Sequence, residues 1–327
     1  MSTHALRAPL ALLAALALAV GAVACGGDDD GGDGGTEDEA GGALIESNPD
    51  NADVAITVGS KNFTEQFILG EIYAQALEAA GYDVSTDLNL GSEQIALRSL
   101  ESGEVDAYPE YTSTALTSFF ELPPEDVPGD GQEAYEQSQG DFADLGLTAF
   151  PPTPFSSANA VGLLAETADD LGVSSISDLE GVSSDLVLAG SPECRQRIDC
   201  LVGLEENYGL EFRRFTPVDI GLRYEVLDQG DADLSVLFTT DAQLSTDADT
   251  YTILEDDLEV LPAGNVLFVA REQTVEEAGP DFGEVVELVQ ENLSLEVMQE
   301  LNARVDVDQE EPAQAARAYL GEFGYVE

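Results

Sequence analysis

Val54-Ala55-Ile56-Thr57-Val58-Gly59-Ser60-Lys61-Asn62-Phe63-Thr64-Glu65-Gln66-Phe67-Ile68-Leu69-Gly70 is the stretch from which the fold is read. Val54 to Val58 reads as a strand and Gly59 to Asn62 as a turn. Thr64 or Asn62 is placed to cap a helix that runs to about Ala80, with Phe67, Ile68, Ile72, Ala76 and Leu77 on one stripe and Gly81 as its stop. A second strand is expected through Val84, Leu88 and Leu90. Ser92 then opens a helix carrying Ile95, Leu97 and Leu100, closed by Gly103, before a third strand from Val105 to Tyr108. The succession β-α-β-α-β is that of an α/β sheet with crossover helices.

Lys61 is the chain's one lysine, beside ten arginines and 66 acidic residues. Its place at a strand-to-helix junction suggests a task, the alternative being a survivor on a solvated loop. Downstream the style repeats. Strands are expected at Ala160 to Leu164, Leu186 to Ala189, Leu234 to Phe238 and Val266 to Val269. Helices are expected at Ile176 to Leu179, Gly221 to Gln229, Pro280 to Glu291, Leu295 to Leu301 and Pro312 to Phe323. The Pro-rich segment Pro151 to Pro154 stands where one lobe hands over to another.

The start of the chain reads differently. Arg7, the apolar stretch Ala8 to Val20 and Ala22-Val23-Ala24 before Cys25 make residues 1–24 a secretory signal. Its apolar part falls short of the roughly 20 residues a membrane span needs. Cys25 reads as a lipid-attachment site, with ordinary cleavage and free secretion as the alternative. From there to about residue 52 the chain is Gly, Asp and Glu with little else, a disordered acidic tether. Its aspartate runs lack the spacing of a calcium loop, so no metal site is expected.

The chain has 327 residues, a net charge of -55 and 43% hydrophobic residues, enough for a substantial core. The acidity is therefore a surface property. It offers no basic patch to nucleic acid, repels anionic membrane surfaces, and suits a salty environment in which counterions screen it; lineage bias is the other explanation. Cys194 and Cys200, with five residues between them, are placed to close a small disulfide loop outside the cytoplasm. A metal pair or two free thiols are the alternatives, without a histidine to support the first, since His4 leaves with the signal.

The lack of a histidine also excludes Ser-His and Cys-His nucleophilic catalysis from the processed chain. No phosphate-binding Gly-rich motif opens a helix. Carboxylate pairs carry little information among 66 acids. A non-enzymatic protein without cofactor is expected, a carboxylate hydrolase being the disfavoured alternative.

Gly59-Ser60-Lys61-Asn62-Phe63-Thr64-Glu65-Gln66, Tyr108-Pro109-Glu110-Tyr111-Thr112-Ser113-Thr114-Ala115, Ser191-Pro192-Glu193 through Arg197, Leu237-Phe238-Thr239-Thr240-Asp241 and Ile253-Leu254-Glu255-Asp256-Asp257 together resemble the substrate-binding proteins of ABC importers for glycine betaine, choline, carnitine and related osmolytes. The resemblance spans about residues 54–327, and its Pro-Glu-Cys…Cys-Leu form is similar to the actinobacterial branch. It implies a type II periplasmic-binding-protein fold, with residues 53–157 plus 239–327 in lobe I and 158–238 in lobe II, joined by two hinge crossings. It implies an extracytoplasmic protein, tied to the cell membrane by its lipid alone, monomeric, delivering a quaternary-ammonium ligand to permease subunits.

Tyr111, Tyr224 and Phe238 fall at the family's aromatic-cage positions, where ring faces attract a trimethylammonium group without a fixed charge to desolvate. Lys61, Thr114 and Arg197 fall where the family binds the carboxylate end, Arg197 as a fork and Lys61 at a helix start. Asn159 departs from the pattern by standing in place of a cage aromatic, a loss of about 0.5–2 kcal/mol. Phe155 or Phe63 is placed to compensate. Otherwise the amide selects a more polar ligand, such as a polyol, a sugar-like or an amino-acid-derived solute. An acidic surface lipoprotein with a structural role is the remaining alternative.

Overall fold

The computed structural model describes residues 43–327. The expected signal segment, Cys25 and the spacer as far as residue 42 lie outside the described residues. Strand β1 (Ala55–Gly59) buries Ile56 and Val58, and the chain turns into helix α1 (Thr64–Ala79). This helix is apolar on nearly every side. Ile68, Leu69, Ile72, Tyr73, Ala76 and Leu77 are fully buried, as befits a helix wedged between a sheet and other helices. Its inner neighbours include Phe268, Val286, Met298 and Tyr319. Neither expected cap forms. Phe63 takes the N-cap position with extended backbone and no side-chain bond, because Asn62 faces solvent and the Thr64 hydroxyl donates instead to Asp306 at 2.6 Å.

Strands β2 (Asp83–Asp87) and β3 (Ala107–Tyr111) flank β1 in parallel. Helix α2 (Glu93–Ser102) links them and stops at Gly103, whose φ of 74° is the left-handed conformation the sequence signals there. The chain then forms β4 (Leu147–Ala149), β5 (Ser156–Ser157), β6 (Asn159–Leu164), β7 (Val187–Gly190), β8 (Arg214–Pro217), β9 (Leu234–Phe238), β10 (Tyr251–Ile253) and β11 (Gly264–Arg271). The first sheet runs β2-β1-β3-β11-β4, with β5 also on β11; the second runs β10-β6-β9-β7-β8. Each combines parallel and antiparallel pairs. Two mixed α/β sheets in this connection make the type II periplasmic-binding-protein fold. Among the described residues, no helix is long and apolar enough to cross a membrane.

The sequence expectation is corrected at three further places. The first lobe does not resume at residue 239. β10 pairs with β6 in the second sheet, and Leu254, Val260 and Leu261 join that lobe's core. The return crossing is at Gly264–Asn265, paired with the outgoing Ser156–Ser157. Gly264 is required there: a Cβ on it would lie 2.6 Å from the backbone nitrogen of Ser113. The acidic tether does not extend to residue 52, because Ile45 is buried, its N–H donates to the Tyr325 carbonyl at 2.9 Å, and Pro49–Asp53 forms a short 3-10 helix. The expected helix from Gly221 to Gln229 is two short turns, Ile220–Leu222 and Glu225–Asp228.

Candidate functional site

Strands β1 and β3 of the first sheet, and β7 and β9 of the second, deliver their C-terminal ends to one cleft between the lobes. Open α/β sheets place their ligands in this position. Lys61 and Phe63 come from the turn after β1, Tyr111 from the end of β3, and Thr114 from the turn that follows. Arg197 and both cysteines come from the loop after β7, and Phe238 from the end of β9. Six of the seven ligand-site residues expected from the sequence, Lys61, Tyr111, Thr114, Asn159, Arg197 and Phe238, line this cleft. The seventh, Tyr224, does not. It lines the adjoining crevice, sets its ring edge-on to Tyr251 with centroids 4.8 Å apart, and donates its hydroxyl to Asp241 at 3.1 Å.

The aromatic wall is formed by Phe63, Tyr111 and Phe238. Phe63 bridges the lobes, with its ring 5.2 Å from that of Phe238 and 6.3 Å from that of Tyr111. Of the two candidates to replace the missing aromatic at Asn159, Phe63 lies in the cleft and Phe155 is buried in the first lobe's core. Asn159 itself donates from Nδ2 to the backbone oxygen of Asp199 at 2.9 Å, so part of its amide is spent holding β6 to the disulfide loop. Cys194 and Cys200 are joined by a disulfide, which fixes the loop carrying Arg197.

Each expected cation already has an internal carboxylate. Lys61 is buried and ion-paired to Glu110. Its Nζ stands 4.4 Å from the Tyr111 ring centroid. Burial lowers the Lys61 pKa, and the Glu110 carboxylate opposes that. Glu110 also accepts from the Tyr111 backbone N–H at 2.8 Å and the Tyr108 hydroxyl at 3.0 Å. Arg197 gives both arms of its fork to Asp199, through Nε at 2.7 Å and through Nη2. Glu93 lies 3.8 Å from its Nη1, across the cleft. Asp199 reaches across as well, accepting from Thr117 at 3.2 Å. Thr117 belongs to the π-helical turn Ala115–Phe119, an irregularity that recurs at functional sites.

Residues the sequence did not single out complete the site. Arg223 is buried and stacks over Phe238 with its guanidinium carbon 4.0 Å from the ring centroid. It donates to Asp241 at 2.9 Å and to the Ile220 carbonyl at 2.7 Å. No local motif marks it, because the neighbouring Tyr224 is the residue that matches the family pattern. Glu65, fully inside, accepts from the Tyr111 hydroxyl at 2.6 Å and from Asn302 at 3.1 Å. Burial raises its pKa against the pull of those hydrogen bonds. Burial, together with Glu65, raises that of Tyr111 well above the usual phenol value. Among the described residues, no group of three or more His, Cys, Asp or Glu side chains is placed to hold a metal ion.

The site offers ring faces, a few polar groups and charges already matched in pairs. That is equipment for holding a small polar or cationic solute. Comparison with known proteins agrees. Residues 54–322 match the substrate-binding domain of ABC-type glycine betaine transport systems. The chain is 34% identical over 278 residues to the glycine-betaine-binding protein of Pseudomonas aeruginosa, covering 82% of this chain and 87% of that one. It is 26% identical over 271 residues to an ergothioneine transport permease/ergothioneine binding protein of Helicobacter pylori, covering 82% of this chain and 48% of that longer one. The crystal structure of a glycine betaine/carnitine/choline ABC transporter protein shares the fold with a TM-score of 0.65 at 24% identity, over 82% of this chain and 99% of that one. The chain therefore belongs to the family of substrate-binding domains of ABC-type glycine betaine transport systems, solute-binding proteins and not enzymes.

Proposed function

We propose that the interlobe cleft captures a quaternary-ammonium osmolyte against Phe63, Tyr111 and Phe238. The protein is the extracytoplasmic binding component of an ABC importer for compounds of the glycine betaine, choline and carnitine type. Cys25 carries the lipid that keeps it at the membrane, and the monomer delivers its ligand to the permease subunits. The observation that carries the ligand class is the convergence of three aromatic rings from both lobes on one cleft. A large soft cation is stabilised by such faces at about 0.5–2 kcal/mol each. Lys61 and Arg223 already stand over Tyr111 and Phe238. Because Phe63 touches rings of both lobes, filling the cleft favours the closed arrangement, and that differential affinity is the signal a permease can read.

Calorimetric titration at high and low salt tests this, with glycine betaine, choline, carnitine, proline betaine, polyols and sugars. Micromolar binding of a quaternary amine is expected. Binding confined to hydroxyl-rich solutes would overturn the ligand class and leave the family assignment intact.

A further inference from the structure

Glu65 is a buried carboxyl without a cation. It is 3% exposed, and among the described residues its hydrogen-bond partners are neutral: the Tyr111 hydroxyl at 2.6 Å and Asn302 Nδ2 at 3.1 Å. An ionisable group sealed in this way costs desolvation, and fixing a registry is the best-attested use of such groups. Asn302 makes the same point. Its Nδ2 donates twice, to Glu65 and to the Thr240 carbonyl at 2.9 Å, while its buried Oδ1 finds no partner among the described residues. An unmatched buried acceptor is costly, so the two donor bonds are what an asparagine supplies there.

These bonds join the lobes. Asn302 lies on the helix Leu295–Asp306, whose Met298 and Leu301 belong to the first lobe's core. Thr240 lies two residues past Phe238, where β9 of the second sheet ends. About one turn earlier on the helix, Gln299 donates to the Thr239 carbonyl at 3.2 Å. Thr239 and Thr240 are tied in turn to the outgoing crossing, through the Ala158 N–H at 3.0 Å and the Ser157 hydroxyl at 3.0 Å. The path Tyr111–Glu65–Asn302–Thr240 therefore runs from one ring of the aromatic wall to the strand end that carries another. Glu65 and Asn302 line the adjoining crevice and not the cleft, so they act on a ligand only through the rings.

We propose that Glu65 and Asn302 are positioning residues that hold the Tyr111 and Phe238 faces at the spacing the ligand needs. The proposal rests on the quaternary-ammonium reading of the cleft. Rings set beforehand spare the bound state the cost of ordering them. The test is binding of glycine betaine and choline, by calorimetry and stopped-flow, to wild type, Asn302→Leu, Glu65→Gln and the double variant, at a temperature where circular dichroism shows each folded. Asn302→Leu removes both donor bonds. Glu65→Gln keeps an acceptor for the Tyr111 hydroxyl and turns an N–H donor toward Asn302, so it breaks the same link. Each single variant is expected to bind about fivefold more weakly or worse, with the loss in the dissociation rate and the association rate changed less than about twofold. The double variant should lose no more than the larger single loss, because the two residues act in one link. Lower unfolding stability with wild-type Kd would make the pair a structural support and overturn the proposal. So would losses that multiply in the double variant. Should Asn302→Leu not fold, Tyr111→Phe takes its place in the cycle, since it keeps the ring and deletes the hydroxyl that Glu65 holds. A wild type that binds neither probe would overturn the reading of the cleft and this assignment together, whereas the variant outcomes bear on this assignment alone.

Discussion

The two walls of the cleft are built on one plan. On the first lobe, Lys61 stands over the Tyr111 ring, and Glu110 accepts from Lys61, from a tyrosine hydroxyl and from the backbone N–H of Tyr111. On the second lobe, Arg223 stands over the Phe238 ring, and Asp241 accepts from Arg223, from a tyrosine hydroxyl and from the backbone N–H of Phe238. In both, one buried carboxylate positions a cation, its ring and the strand end that carries it. The difference is in satisfaction. Glu110 is wholly buried, and its cation is a lysine that rotates to suit its partners. Arg223 carries a fixed fork with one prong unmatched. The Lys61–Glu110 pair leaves neither charged group without a partner, whereas the Arg223 guanidinium leaves Nη1 without one.

Charge removal breaks this comparison most sharply. Lys61→Met leaves Glu110 buried and uncompensated and is expected to cost about 3–5 kcal/mol. Arg223→Met likewise leaves Asp241 buried without its cation, but it deletes an unpartnered donor at the same time, so its cost should be lower by about 1–3 kcal/mol. Urea unfolding of both variants measures the gap. Equal losses would mean that the two walls are energetically alike.

Ligand affinity is the next level. Tyr111→Ala removes a ring face and the hydroxyl held by Glu65, and at least a tenfold weaker Kd is expected for a quaternary amine. Arg197→Ala is also expected to lose at least tenfold, through release of the Asp199 and Glu93 carboxylates into the cleft. Wild-type Kd in both variants, by calorimetry, would remove Tyr111 and Arg197 from the site.

Behind the first wall, Glu65 gives a pH dependence. Burial raises its pKa above 4.5 in the folded protein. A carboxyl that binds its proton more tightly when folded contributes stability that is fully present below its unfolded value. That contribution is lost as pH rises through the folded value. Glu65→Gln removes this contribution, so its unfolding free energy should fall less than that of wild type as pH rises from about 4 to 7. An unchanged slope would place the titration elsewhere.

The order of strands and helices was legible because each element carries its own signal. The apolar run Ile68 to Leu77 and the stops at Gly81 and Gly103 are local facts. Lys61, Tyr111, Thr114, Arg197 and Phe238 could be singled out as candidates because they sit within short motifs, and the fold brings them to one cleft. The missed features depend on distant partners. The return crossing was misplaced because β10 is only three residues, Tyr251–Ile253, in an acidic stretch, too short to show an alternation. Arg223 sits beside a tyrosine that matched the motif, and its partner Asp241 lies 18 residues on. Glu65 and Glu110 are two among 66 acids, and no pattern separates a buried carboxylate from a solvated one until the fold encloses it.

The smallest effect concerns contact between the walls themselves. Glu93 and Arg197 face each other across the cleft at 3.8 Å, beyond hydrogen-bonding distance. Their side chains are 10% and 19% exposed, so water reaches the pair only in part, and desolvation offsets much of its attraction. Asp199 holds the guanidinium in place whether or not Glu93 is charged. Glu93→Gln should therefore shift ligand affinity by less than about threefold, and raised salt should shrink the shift further. Asp199→Asn differs in kind. It removes the negative charge that both arms of the Arg197 fork bind and alters the acceptor for Thr117 on the opposite lobe. Calorimetry of the two variants at low and high salt separates a screened contact from a structural one. A larger, salt-resistant effect for Glu93→Gln would show that the lobes are held by charge across the cleft, and that the aromatic bridge of Phe63 to Phe238 is the lesser tie.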